Sequence, residues 1–240
     1  MTAVVTGGGT GIGRACSLRL AGSGRPVAVL YAHSVRDAAE TVDEIVRRGG
    51  DALAIAADVT DDTSVRAAMA SARERLGPVD VLVNNAGATV QMSMDDLDGA
   101  SDAVFDRLLR VNTMGAWYCA RAAAADLRSA PDGVVVNMGS IAGLTGRGSS
   151  LPYAVSKAAL SGLTRALAHA LAPVRVNEVA PGLVATRWWR GHEDRARRLA
   201  AESLLGRETT PDDVAAAVLG LVDCPAVTGQ TVVVDGGQTL

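Results

Sequence analysis

TGGGTGIGR, residues Thr6–Arg14, directly follows the short apolar run Ala3-Val4-Val5. Five glycines in nine residues make a costly backbone, because glycine loses the most conformational freedom on folding. A strand, a glycine turn and a helix start, in that order, suit the holding of a phosphate. Glycines let the backbone approach it, and free N–H groups at the helix start receive it. Three patterns use this physics. GxxxxGK[ST] nearly fits from Gly8, but fails at Arg14 and at Ala15, where a hydroxyl must reach magnesium. GxGxxG finds no glycine triplet at its spacing. What remains is Gly7, Gly11 and Gly13, spaced GxxxGxG, with Thr10 and Ile12 inside the turn. A glycine-rich turn with no ligand is the plain alternative.

The rest of the chain repeats this strand-then-helix rhythm. Valine-rich apolar runs lie at Ala3–Thr6, Pro26–Tyr31, Ala52–Ala56, Val79–Val83, Gly133–Met138, Val174–Val179 and Gln230–Val234. They are continuous rather than alternating in polarity, as strands buried on both faces of a parallel sheet are. Helical spacing fills Gly11–Ala21, Ser34–Arg48, Asp61–Leu76, Ser101–Arg128, Pro152–Leu171 and Pro211–Val222. The alternation predicts an α/β fold: one doubly wound Rossmann-type domain over residues 1–240, with a mostly parallel seven-stranded sheet flanked by helices. No linker, low-complexity tract or internal repeat interrupts it. One stretch breaks the rhythm, an insert around residues 183–208 that carries Trp188-Trp189 and several arginines.

Composition narrows the partners. The 240 residues are 48% hydrophobic and 20% charged, with a net charge of −3. Acids and bases are interspersed, which argues against a nucleic-acid partner that needs a basic face. Cys16, Cys119 and Cys224 are far apart and show no metal-like spacing, so no metal site is expected and a reducing compartment is the simplest reading. No run approaches the ~18 apolar residues of a membrane span. These features predict a soluble cytoplasmic protein with no membrane partner.

Further signals follow in order. Val83-Asn84-Asn85-Ala86-Gly87 leaves the fourth run, and Gly139-Ser140 leaves the fifth. Tyr153-Ala154-Val155-Ser156-Lys157 opens a helix, and Asn177-Glu178-Val179-Ala180-Pro181-Gly182 leaves the sixth run. With TGGGTGIG before them and Val234-Asp235-Gly236-Gly237 after, the chain resembles a short-chain dehydrogenase/reductase over nearly its whole length. The subgroup it resembles most is that of the 3-oxoacyl-acyl-carrier-protein reductases.

Tyr153 and Lys157, at i and i+4, share one helix face. A phenol titrates near ~10, and a nearby ammonium is expected to favour the phenolate and lower that value. Tyr153 then gives a proton to a carbonyl oxygen, or removes it in reverse. The resemblance assigns Ser140 to the substrate oxygen and Asn112 to a proton relay through Lys157. Ser140 as a simple turn cap is the alternative.

The hydride must come from a nicotinamide cofactor, because no side chain carries one. The resemblance places Asp58 and Val59 at the adenine, Asn85, Ala86 and Gly87 along the adenosine, and Pro181, Gly182 and Thr186 beside the nicotinamide. Asp58 as a helix cap is the alternative. An acid at the end of the second strand would bind a free ribose 2′-hydroxyl. Tyr31 stands there instead, followed by His33, Ser34 and Arg36, which can donate to a phosphate. NADP(H) is therefore expected over NAD(H). Many NADPH-using relatives carry an arginine where this chain has Thr10, and Arg14 is a candidate substitute.

The substrate is expected to be a small carbonyl compound or its alcohol, in a pocket formed by Thr89, Val90, Met92, Leu144, Leu151, Leu183, Trp188 and Trp189. His192–Leu205 reads equally as a lid over the pocket and as a solvated amphipathic helix, and Arg128 is a candidate for docking an acidic carrier. Two other readings stand beside the carbonyl reductase: an NAD-dependent alcohol dehydrogenase of the same family, and a non-catalytic cofactor sensor. The resemblance implies a homotetramer.

Overall fold

A computed structural model describes residues 1–184, 186 and 203–240. Seven strands form one sheet: β1 (Thr2–Thr6), β2 (Val27–Tyr31), β3 (Ala52–Ala56), β4 (Val79–Asn84), β5 (Val134–Met138), β6 (Arg175–Pro181) and β7 (Thr231–Val234). Their order is β3-β2-β1-β4-β5-β6-β7, and each neighbouring pair is parallel. This is the single Rossmann-type domain that the strand–helix rhythm predicts.

The valine runs are continuous because successive side chains enter two different cores. Val5, Val29, Val83 and Val136 pack on one face, against α1 (Gly11–Gly22), α2 (Val35–Arg47) and α8 (Pro211–Val222). Val4, Leu30, Leu82 and Val135 pack on the other, against α3 (Asp62–Leu76), α5 (Gly115–Ser129) and α7 (Leu151–Ala170). Cys16 and Cys119 lie in these cores, and burial pushes both thiols up to about 12. They act as apolar filler.

The expected long helix Ser101–Arg128 is divided. It runs as α4 (Asp102–Leu109), a π-turn over Arg110–Met114, and α5. A short helix that the periodicity does not predict, α6 (Ile141–Thr145), follows β5. No described helix is long and apolar enough to cross a membrane. The insert leaves β6 through Val184, which pairs with Thr209 across an isolated parallel bridge.

Strand order reverses between β1 and β4. In open parallel sheets the ligand crevice forms at that point, outside the carboxyl ends of the strands. The glycine turn follows β1 and Asn84-Asn85-Ala86-Gly87 ends β4, so the topology brings these two signals together.

Candidate active site

The glycine turn shows why it needs glycine. Gly7 and Gly11 adopt φ of 62° and 50°, which side chains rarely tolerate. A Cβ on Gly13 would lie 2.2 Å from the Gly7 carbonyl oxygen. No side chain caps the start of α1 at Thr10, so first-turn N–H groups stay available to an anion.

Asn85 holds the turn to β4. Its Nδ2 donates to the Thr6 and Gly7 carbonyls at 2.9 and 3.2 Å. The Thr6 hydroxyl accepts from the Asn85 and Ala86 N–H groups, both at 2.9 Å. Thr6 is thus a bracing residue that motif reading passed over. Being the last residue of a strand was its only signal.

A cleft of about 1570 Å³ opens here. Of the residues expected at a cofactor, Gly7, Thr10, Gly11, Ile12, Tyr31, His33, Ser34, Asp58, Val59, Asn85, Ala86, Gly87, Pro181, Gly182 and Thr186 line it, as do Ser140, Tyr153 and Lys157. Gly13 lies behind the turn. Thr186 reaches across to Gly11, where a Cβ would come within 3.4 Å of Thr186 Cγ2. Asp58 is exposed and does not cap α3; Asp61 does, accepting from Thr63 N–H at 2.9 Å. The Asp58 carboxylate accepts from the N–H and hydroxyl of Thr60, which holds its pKa below the ordinary value, with His33 adding to the effect. Arg14 is exposed and outside the cleft, and Arg36 is paired with Glu40.

The substrate end differs from expectation. Leu183 lines the cleft, but Thr89, Val90, Met92, Leu144 and Leu151 do not. In the loop after Gly87, the Met92 N–H donates to the Ser149 carbonyl at 2.9 Å. Leu144 is half exposed to solvent. In their place stand Met94, Val111, Ile141, Arg107 and Arg147, together with the C-terminal Gln238, Thr239 and Leu240. Gln238 is fixed by the Leu183 N–H, which donates to its Oε1 at 3.0 Å. Arg128 is spent elsewhere, donating to the Ala170 carbonyl at 2.8 Å. Trp188, Trp189 and most of His192–Leu205 lie outside the described residues.

Ser140, Tyr153 and Lys157 converge at the carboxyl end of β5. Ser140 both caps α6, accepting from Ala142 N–H at 3.1 Å, and hydrogen-bonds Tyr153. Lys157 is buried; its Nζ donates to the Met138 carbonyl at 2.7 Å and lies 5.9 Å from the Tyr153 ring centre. One expectation is overturned. The Tyr153 phenol is not acidified but pushed up to about 12 by burial, against the opposing Ser140 bond. Desolvation of the neutral-to-charged step outweighs what its neighbours supply. Burial also brings Lys157 down to about 8, with Glu178 opposing.

Asn112 does not line the cleft. It sits in the π-turn, a distortion that recurs at functional sites. Its Oδ1 accepts from Ala88 N–H at 2.8 Å, while Nδ2 donates to the Ala88 carbonyl at 3.0 Å and to Ser156 Oγ at 2.9 Å. Ser156 donates in turn to the Tyr153 carbonyl at 2.8 Å. Asn112 therefore reaches the site through what it braces.

A family model described as Enoyl-(Acyl carrier protein) reductase matches residues 7–239. The chain is 42% identical over 242 residues to "Granaticin polyketide synthase putative ketoacyl reductase 2" of Streptomyces violaceoruber, covering 99% of this chain and 96% of that protein. It is 34% identical over 253 residues to the 3-oxoacyl-[acyl-carrier-protein] reductase of a Synechocystis strain, covering 99% and 96%. A crystal structure of a dehydrogenase/reductase from Sinorhizobium meliloti 1021 superposes with TM-score 0.92 at 35% identity, covering 100% of this chain and 95% of that one.

Proposed function

Since the chain belongs to the short-chain dehydrogenase/reductase family, with its likeness in the ketoacyl-reductase subgroup, we propose that it reduces a carbonyl group with NADPH. One observation carries this reading: Ser140, Tyr153 and Lys157 line the same cleft as the glycine turn. The bound nicotinamide supplies the hydride. Tyr153, protonated through neutral pH, donates to the carbonyl oxygen as charge builds there. Ser140 orients that oxygen beside the phenol. Lys157 holds a positive charge behind Tyr153, and Asn112 is a positioning residue that steadies the turn of helix carrying both. A sensor would have no use for this complete set.

The glycine cradle fits a pyrophosphate, because no side chain could replace Gly13 without meeting the Gly7 carbonyl. NADPH rather than NADH is supported at the end of β2. Tyr31, His33 and Ser34 line the cleft there and no acid from β2 does. The α2 start at Ser34 also has no side-chain cap, and a helix N-terminus there suits a 2′-phosphate.

For the substrate, an oxo group on a thioester-linked acyl chain is best supported. Relatives named as ketoacyl and 3-oxoacyl reductases point to it, and Arg107 and Arg147 at the cleft suit an anionic arm. A homotetramer in the cytoplasm completes the reading, and gel filtration tests the assembly. The deciding experiment assays an acetoacetyl thioester and simple ketones with each nucleotide, beside Tyr153→Phe. The reading requires faster reduction with NADPH and a loss of at least ~10²-fold in the variant. Equal turnover by Tyr153→Phe would end it.

A further inference from the structure

Glu178 has no exposure to solvent, although it stands in the middle of β6. Its Oε1 accepts from Ser161 Oγ of α7 at 2.9 Å, and its Oε2 from Thr231 Oγ1 of β7 at 3.0 Å. Ser161 also reaches the Lys157 carbonyl at 3.3 Å. Above the carboxylate lies Gly139, where a Cβ would fall 1.8 Å from Glu178 Oε1. The carboxylate therefore occupies the place of a side chain at residue 139, against the backbone between two residues of the site. Met138, on one side, accepts the Lys157 ammonium; Ser140, on the other, pairs with Tyr153.

A carboxylate is an expensive filler. A well-packed apolar residue of similar volume does as well or better where only stability is at stake. Burial raises the Glu178 pKa, and the Ser161 and Thr231 hydroxyls oppose that; among the described residues the charged groups it faces are Lys157 and the exposed Arg165, both on α7 and both favouring the carboxylate. No described acid forms an ion pair with Lys157, and Glu178, joined to its helix turn through Ser161, is the acid whose charge acts on the buried ammonium.

We propose that Glu178 is a positioning residue of this active site: it holds the Met138–Ser140 turn from beneath and supplies the counter-charge for the Lys157 ammonium. The proposal rests on the reductase reading for its consequence in catalysis, but its electrostatic half can be read without turnover. Burial draws Lys157 down to about 8 while Glu178 pushes the other way. Without Glu178 the ammonium gives up its proton closer to neutrality.

Lys157 is the only lysine in the sequence, so one lysine side-chain signal reports it. The experiment labels lysine with ¹³C and follows the Cε resonance against pH by NMR. It compares the wild type with Glu178→Gln, which keeps shape and hydrogen bonding, and with Glu178→Met, an uncharged residue of similar length in case the amide is poorly accommodated. The midpoint should fall by about one pH unit in either folded variant. The high-pH limb of kcat/KM for ketone reduction should move down with it. An unmoved midpoint, even with lower thermal stability, overturns the proposal and leaves Glu178 a packing residue. A shifted midpoint in a protein that reduces no ketone supports the Glu178–Lys157 coupling and sinks only the reductase reading.

Discussion

Lys157 holds its ammonium 5.9 Å from the centre of the Tyr153 ring and donates to the Met138 carbonyl at 2.7 Å. Burial moves the pair in opposite directions, the phenol up to about 12 and the amine down to about 8. Each shift disfavours the charged form, as desolvation must. The phenol is therefore protonated over the whole neutral range, the state that the proposed reduction requires.

The lysine shift has a consequence for stability. Below pH 8 the ammonium is charged in both folded and unfolded chains, and its burial penalty is fully present. Between about 8 and the ordinary 10.5 the unfolded chain binds more proton, so stability rises with pH on this account. Above 10.5 the difference vanishes. Urea unfolding of the wild type and Lys157→Met, compared at each pH, should show the wild type gaining on the order of 2–3 kcal/mol relative to the variant across that window. A pH-independent difference would contradict it.

Arg175 ties the sheet to the end of α8. It is buried, and its guanidinium donates to the carbonyls of Leu221, Val222 and Cys224 at 2.6, 2.8 and 2.9 Å, while pairing with Asp132 at 3.1 Å. Arg175→Met leaves helix-end carbonyls without donors. A loss of about 3 kcal/mol is expected, read as a lowered midpoint in denaturant. Arg175→Lys should recover only part, since a point charge cannot reproduce a planar fork. Wild-type stability in the methionine variant would refute the account.

Nucleotide choice should turn on residue 31. Tyr31→Asp places an acid at the carboxyl end of β2, where it can accept from a free ribose 2′-hydroxyl and repels a 2′-phosphate. The ratio of kcat/KM for NADPH to that for NADH should fall by at least ~10-fold, a cost of roughly 1.4 kcal/mol in relative binding. An unchanged ratio would mean that the 2′ position is read elsewhere.

The glycine turn can be tested without any substrate. Gly13→Ala puts a Cβ against the Gly7 carbonyl and Asn85 Nδ2, at 2.2 and 2.5 Å. Thr6→Val removes the hydroxyl that accepts from the Asn85 and Ala86 N–H groups. Both should weaken nucleotide binding, measured by tryptophan fluorescence, with the larger loss for Gly13→Ala because backbone cannot yield as a side chain can. Full affinity in Gly13→Ala would show that the turn is not a phosphate cradle.

What could be read along the chain was what depends on near neighbours in sequence. Val29 and Leu30 each look inward because each face of a parallel sheet is covered, and an unbroken apolar run records that directly. Gly7, Gly11 and Gly13 mark positions where local backbone geometry admits no side chain. Tyr153 and Lys157 share a helix face by spacing alone. Other features belong to no local pattern. Glu178 lies beneath Gly139 because β6 pairs with β5, and Gln238 lines the cleft because its side chain meets the Leu183 N–H. Asn85 reads as a cleft residue in the motif, yet its amide is spent on the Thr6 and Gly7 carbonyls. The charge state of Tyr153 is the sharpest case. An i, i+4 spacing says that an ammonium is near, but the balance is set by how much water the folded protein removes, and desolvation depends on residues that only the tertiary structure brings together.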